Sequence, residues 1–507
     1  IEGKADGTIE YAMDGAAGSD FRYNRIGLCV LHPIRGGAWQ EYQAITPQGV
    51  MYGRLPELIA PQRMENGFEV PLFPSFSSLT ILLEDGSSLT SDFEGDLFEM
   101  EDQRNWTDGS FKTYSTPLSL GYPCLARAGQ IFRQKVTLTA RIPEQERKKR
   151  KTEVQQAAVL TLGKEMSQRL PKLGFGLPAR YEPWGAREVE YLSRLRHDHL
   201  KLELHLQEPD WPEILNRAAA AAKELGCLLE LALFLEDHPQ AVLEQLRVQV
   251  TGLPVARVIV FAEMEAAVKV TSPVWIELAR QYLEDALPGI PFFGGTNGNF
   301  AQLNRQPPDV TRMDGAAYPL NPQVHAGDER SMIEALEAQR DTLLTARSCC
   351  GDRPISISSV TLKPPFNQSA TEKGEAKGIH RLPDSVDRRQ VSLFASAWTV
   401  GSLQSLASGG AESITYYETS GWRGLFEPEH GSPIHEQFPS YPGMIFPLYH
   451  LFAFLGEARG ARLLYSKSDH PLCLGGLALQ RGERVWILLA NYLPKAQEVW
   501  IRQIPQG

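Results

Sequence analysis

The chain has 507 residues, 42% of them hydrophobic and 22% charged, with a formal net charge of −10. That balance describes a globular protein with room for about three domains or one large barrel with appendages. It excludes a nucleic-acid surface, which needs clustered Lys and Arg, and no apolar run approaches the ~20 residues of a membrane-spanning helix.

Residues 1–145 carry short alternating runs such as "NRIGLCVLHP", "GFEVPLFP" and "GQIFRQKVTLTARIP", split by turn residues including Gly53 and Asp85-Gly86. This is the pattern of an all-β sandwich. One stretch inside it, "FEMEDQRNWTDGSFKTY" from Phe98 to Tyr114, holds six charged residues and four aromatics in seventeen positions and follows neither a helical nor a strand period. Two readings compete for it. In the preferred one its charges form ion pairs that lock the β-domain onto the following domain, with Trp106, Phe111 and Tyr114 filling that seam; in the other, Asp102, Arg104, Asn105 and Trp106 reach the mouth of that domain and bind the hydroxyls of a small sugar acid. The basic run Arg147–Lys151 that follows reads as a solvated linker.

Between residues 165 and 430 apolar strands alternate with helical segments. The strands are expected at 173–178, 200–206, 228–235, 256–263, 290–300, 315–322, 355–362 and 413–422, and helices such as "WPEILNRAAAAAKELG" lie between them. Eight βα units over about 260 residues are the arithmetic of a (β/α)8 TIM-like barrel; a doubly wound sheet is the runner-up. Residues 431–507 return to strands and are expected to form a small C-terminal β-domain. The expected fold is thus an α/β barrel flanked by an N-terminal β-sandwich and that small domain. Six scattered cysteines without a C-x-x-C pair read as the reduced thiols of an intracellular protein, so the expected location is cytoplasmic; the opening "IEGKADG", with neither an initiator Met nor an apolar core, leaves open a signal peptide removed earlier.

Barrel enzymes work at the C-terminal ends of their strands, which turns attention to the polar residues there. Strand four ends in Glu263, with Glu265 two residues on; strand five runs into Asn297, Asn299 and Asn304; strand six leads to Tyr318, Asn321 and His325; strand eight ends in Glu418, followed by Trp422 and Arg423. Each has a bland alternative: a carboxylate after a strand often caps a helix, and His325 precedes one. Two rim carboxylates suit a retaining glycosidase, yet strand seven, "ISISSVTLKPPFN", supplies no carboxylate where related barrel glycosidases keep their nucleophile. "GGTNGN" lacks the spacing and the lysine of a phosphate loop. His197 and His199 read as a loop pair without a third metal ligand. Neither a metal nor another cofactor is expected.

"NRIGLCVLHP" (24–33), "FEGDLFEMEDQRNWTDGSFKTYSTPL" (93–118), "PQVHAGDERSMIEALEAQ" (322–339) and "ITYYETSGWRG" (414–424) together resemble the D-apionate lactonase family, in that family's order of domains. The resemblance implies hydrolysis of a small-molecule sugar lactone, D-apionolactone, to D-apionate in bacterial apiose catabolism, with neither nucleic acid nor membrane as partner. It carries no residue roles; those rest on the barrel argument. On that argument Glu418 or Glu263 is the base, His325 the acid for the leaving alkoxide, and Asn297, Asn304 or Tyr318 an oxyanion donor. Trp422, Arg104, Asn105 and Trp106 are the further candidates for substrate binding. Glycoside hydrolysis on the same barrel is the alternative, and sugar binding without turnover a third reading. Oligomeric state is not readable from the sequence.

Overall fold

The computed structural model describes residues 1–35, 39–65, 68–145, 157–178, 183–262, 269–365, 381–432, 434 and 436–504. The basic run Arg147–Lys151 and the candidates Glu263 and Glu265 lie outside them. The chain divides into two compact units, Ile1–Gln156 and Ala157–Gly507.

The first unit is all β. A seven-stranded antiparallel sheet includes Ile9–Ala16, Ile131–Arg141, Ser88–Glu94, Ser78–Leu82 and Glu41–Thr46, and a three-stranded sheet pairs Ser110–Tyr114 with Glu99–Asp102 on one side and Cys29–Pro33 on the other. Its core is a chain of rings, Phe73, Phe76, Phe93 and Phe98, with successive centroids 5.3, 5.7 and 4.3 Å apart.

The second unit is the expected closed barrel of eight parallel strands. They are β1 (Lys172–Gly176), β2 (His199–His205), β3 (Leu228–Leu235), β4 (Val255–Ala262), β5 (Phe292–Gly295), β6 (Gly315–Leu320), β7 (Ile355–Val360) and β8 (Ser413–Glu418). Gly295 is required where it stands: its φ is +140°, and a Cβ there would lie 1.9 Å from the Ala317 carbonyl oxygen.

The expected boundaries at 165 and 431 shift. Strand Ala158–Arg169 pairs with Arg462–Ser468 and, in parallel, with Val499–Arg502, so the small terminal sheet takes strands from both sides of the barrel. Its alternation explains this: Ala158, Leu160 and Leu162 are buried in one cluster with Leu464, Leu474 and Ala478. Helix Pro447–Glu457 follows β8 and packs on the barrel, where Phe452 meets Phe175 of β1 at 5.0 Å.

Two layers of chemistry fill the barrel. Ala232, Phe234, Ile259, Phe261, Phe293 and Ala317 form an apolar cluster from β3 to β6. Opposite and below it the interior is polar. Glu230 on β3, wholly buried, accepts from the Ser358 hydroxyl at 2.6 Å and from Thr415 at 3.2 Å, and faces Arg257 at 3.4 Å. His199 is not in a loop: it opens β2 inside the barrel, with its Nε2 2.8 Å from Thr415 Oγ1. Strand alternation turns its even-numbered leucine neighbours towards the helix layer and His199 inward.

Burial pushes His199 down to about 4 and His197 to about 3. Both are neutral when folded, whereas in the unfolded chain a histidine takes its proton near pH 6.5. The stability they contribute is therefore present above that value and lost as pH falls towards the folded values, by roughly 1.4 kcal/mol per pH unit for each. Denaturation of the barrel unit followed from pH 6.5 to 5, above the range of ordinary carboxylates, should show this slope. A flat profile over that interval would contradict it.

Candidate active site

Glu418 ends β8, and a backbone irregularity aims it. Thr415 faces the barrel interior and Tyr416 the helix layer, where its hydroxyl meets Ser402 at 3.0 Å. Regular alternation would turn Tyr417 inward. Instead Tyr417 adopts a left-handed conformation, φ +51°, and its hydroxyl also reaches the helix layer, 2.7 Å from Thr399. Two successive outward tyrosines leave Glu418 facing the mouth. A bulky residue with positive φ is strained, and such strain collects at functional sites. Here the buried tyrosine bonds hold it in place.

The Glu418 carboxylate pairs with Arg423, and the backbone answers in kind, the Glu418 N–H donating to the Arg423 carbonyl at 2.9 Å. Burial raises the carboxyl above the usual range; Arg423 opposes this, and the negative charge of Glu203 adds to it. Gly176 of β1 sits beside the pair, so that β1 and β8 close without a side chain between them.

Glu203 is the residue that strand-end reasoning missed. It lies on the inward face of β2 between Lys201 and His205. Lys201 Nζ is 2.8 Å from Glu203 Oε1 and reaches Ser359 Oγ at 3.3 Å. Lys201 is buried while the Glu203 side chain is 53% exposed, so the carboxylate is the accessible end of the pair. Lys201 holds the Glu203 carboxyl low against the opposing effect of burial, with help from its own hydrogen bond, His205 and Arg423. The signal was present in "HLKLELH", where every odd-numbered residue from His199 to His205 is polar. In a buried parallel strand such alternation marks a polar interior.

His205 closes that inward series. Its ring stacks on Phe234 at 4.3 Å and 14°, and Phe234 leans on Phe261 at 5.3 Å. The mouth thus has a carboxylate side on β2 and β8 and an aromatic side on β3 and β4.

The other candidates are dispersed. Asn297 is half-buried in the loop after β5, while Asn304 is buried in helix Phe300–Arg305. Tyr318 faces away from the mouth: Ala317 takes the inward position, and the Tyr318 hydroxyl lies 3.0 Å from Thr342 in helix Glu329–Cys350. His325 is exposed on the loop before that helix. Trp422 donates to the Ser432 hydroxyl at 2.5 Å and packs near Phe438. In the N-terminal unit, Arg104 is wholly buried, paired with Asp102 at 2.7 Å, and donates to the carbonyls of Pro56, Glu57 and Leu58. Asn105 donates to the Ala60 carbonyl at 2.7 Å, and Trp106 ends the same short helix. The puzzling segment therefore uses its charges to clamp the 56–60 loop.

Among the described residues no three His, Cys, Asp or Glu side chains converge as a metal-binding group, and no helix is long and apolar enough to cross a membrane.

An eight-stranded barrel preceded by a sheet domain, with carboxylates at its C-terminal rim, defines a class of barrel proteins broader than any one activity. The particular family is settled by sequence. Residues 173–460 match the model of the D-apionate lactonase TIM barrel domain and residues 1–143 that of the D-apionate lactonase N-terminal domain. The chain belongs to the D-apionate lactonase family. A D-apionate lactonase of Brucella anthropi is 26% identical over 99% of this chain and 81% of its own length. Solved structures are more remote. A family 51 α-L-arabinofuranosidase from Bifidobacterium longum has a TM-score of 0.49 at 9% identity, covering 69% of this chain and 89% of that one. A GH30 endoxylanase from Clostridium papyrosolvens has 0.42 at 10%, covering 66% and 84%. Likeness at that level bears on neither activity nor site.

Proposed function

We propose that this protein hydrolyses the ring ester of a sugar-acid γ-lactone, D-apionolactone, to D-apionate, as a step of bacterial apiose catabolism. Membership of the family supports the reaction. The observation that carries the site is the pair of rim carboxylates, Glu418 and Glu203, whose surroundings push their proton affinities in opposite directions. Opposed carboxylates of this kind separate acid–base roles in known active sites.

Glu418, raised by burial, is the stronger base and removes a proton from the attacking water. Arg423, whose forked guanidinium has five N–H donors, keeps Glu418 in place and presents its remaining donors to the carbonyl oxygen as negative charge develops there. Glu203, held ionised by Lys201, accepts hydrogen bonds from the hydroxyls of the substrate, and Asn297 adds a neutral donor or acceptor at the rim.

The roles have a pH signature. A base acts deprotonated, so kcat/KM rises with pH through the raised Glu418 value. Glu203→Gln removes a like charge that contributes to that elevation, so the acidic limb should move to lower pH on D-apionolactone. A limb that stays in place, or moves up, would remove Glu418 from the role of base.

A further inference from the structure

We infer that His205 is the general acid that delivers a proton to the ring oxygen as the lactone opens, an inference that rests on the lactonase reading above. Ring opening expels an alkoxide, a poor leaving group. A positioned acid that protonates it as the bond breaks contributes about 10²–10⁴-fold. The mouth needs such a donor, because Glu418 is engaged with the water and Glu203 is held ionised by Lys201.

His205 meets the requirement by position. It is the last residue of β2, hence at the C-terminal end where barrel sites lie, and it shares the inward face with Lys201 and Glu203. It lies within electrostatic reach of Glu203. The face-to-face stack on Phe234, 4.3 Å at 14°, with Phe234 braced on Phe261, fixes the plane of the imidazole. A ring so held is pre-oriented for proton transfer. His325, the candidate from sequence, stands on an exposed loop.

The steps balance. Glu418 takes one proton from water, whose oxygen adds to the carbonyl carbon while the C=O pair moves onto oxygen. Collapse of this adduct re-forms the C=O bond and breaks the bond to the ring oxygen, which keeps the pair and takes a proton from the His205 imidazolium. The products are the hydroxyl and the carboxylic acid. The acid ionises, releasing one proton to solvent; the proton on Glu418 returns through solvent to His205.

Three variants test this on D-apionolactone: His205→Ala, His205→Phe and His325→Gln, each checked for folding by thermal unfolding. His205→Phe preserves a ring on Phe234. Both His205 variants should lose about 100-fold or more in kcat with little change in KM, and added imidazole should restore turnover to His205→Ala, which has room for it, but not to His205→Phe. Turnover within about threefold of wild type in His205→Phe, a loss confined to KM, a loss that imidazole does not rescue, or the large kcat loss appearing in His325→Gln instead would each overturn the assignment. Wild-type protein that leaves the lactone unopened strikes the lactonase reading itself, which separates the two failures.

Discussion

Replacing Glu418 with glutamine is expected to lower kcat/KM on D-apionolactone by about 10²–10⁴-fold, the range of a lost general base. The substitution keeps shape and still offers an oxygen to Arg423, while the reciprocal backbone bond between residues 418 and 423 is untouched. The left-handed turn at Tyr417 is anchored by Thr399 and does not depend on the carboxylate. Thermal stability should accordingly stay close to that of wild type, and the loss should fall on the chemical step. An E418Q protein that is folded and within tenfold of wild-type activity would take Glu418 out of the mechanism.

The second large effect is on stability. Glu230→Ala should cost about 3–5 kcal/mol, because removing one partner leaves Arg257 as an uncompensated charge in the barrel interior. Ser358, Ser356 and Thr415 would lose their common acceptor as well. The charge is well established in the fold: burial alone would raise the Glu230 carboxyl, yet Arg257, the Ser358 hydroxyl and Lys201 around it hold it low. Over a unit of this size the loss corresponds to a fall of roughly 5 °C in the barrel unfolding midpoint, taking about 2.1 cal/mol/K per residue. A midpoint unchanged within error would mean that water or a rearranged Arg257 replaces the carboxylate at little cost.

The two effects separate what the barrel strands do. Glu230 organises a buried layer; Glu203 and Glu418, closer to the C-terminal ends, present carboxylates to a mouth whose other wall is aromatic. The same elementary rule, alternation along a strand, places both sets.

That rule also explains what the sequence discloses and what it conceals. The eight barrel strands appear within a few residues of their expected positions because each is a short apolar run between helical segments. Glu418 stands out because it ends such a run. Glu203 and His205 do not, since they sit within a strand whose leucines dominate its appearance, and only attention to the odd-numbered positions of "HLKLELH" finds them. Tyr318 misleads for the converse reason: it lies near a strand end, but Ala317 takes the inward place. The aim of Glu418 depends on a left-handed tyrosine, a conformation no propensity favours. Strand Ala158–Arg169 is concealed for a different reason: its partners, Arg462–Ser468 and Val499–Arg502, lie about 300 residues away in the chain, and pairing at such separation leaves no local mark.

Segment 98–114 shows how composition can suggest a surface that the fold uses internally. A charged, aromatic stretch with Arg and Asp close together suits a sugar, but Arg104 and Asp102 satisfy each other in a fully buried, two-pronged pair, and Arg104 also donates to the backbone carbonyls of Pro56 and Glu57. Buried arginine demands such saturation.

The most direct measurement is proton release in weakly buffered solution with D-apionolactone as substrate, beside common aldonolactones and a panel of aryl glycosides. Release from D-apionolactone well above the spontaneous rate, and abolished by Glu418→Gln, is the predicted result. No acceleration on any lactone, together with hydrolysis of an aryl glycoside, would contradict the account and assign the barrel carboxylates to glycosidic chemistry.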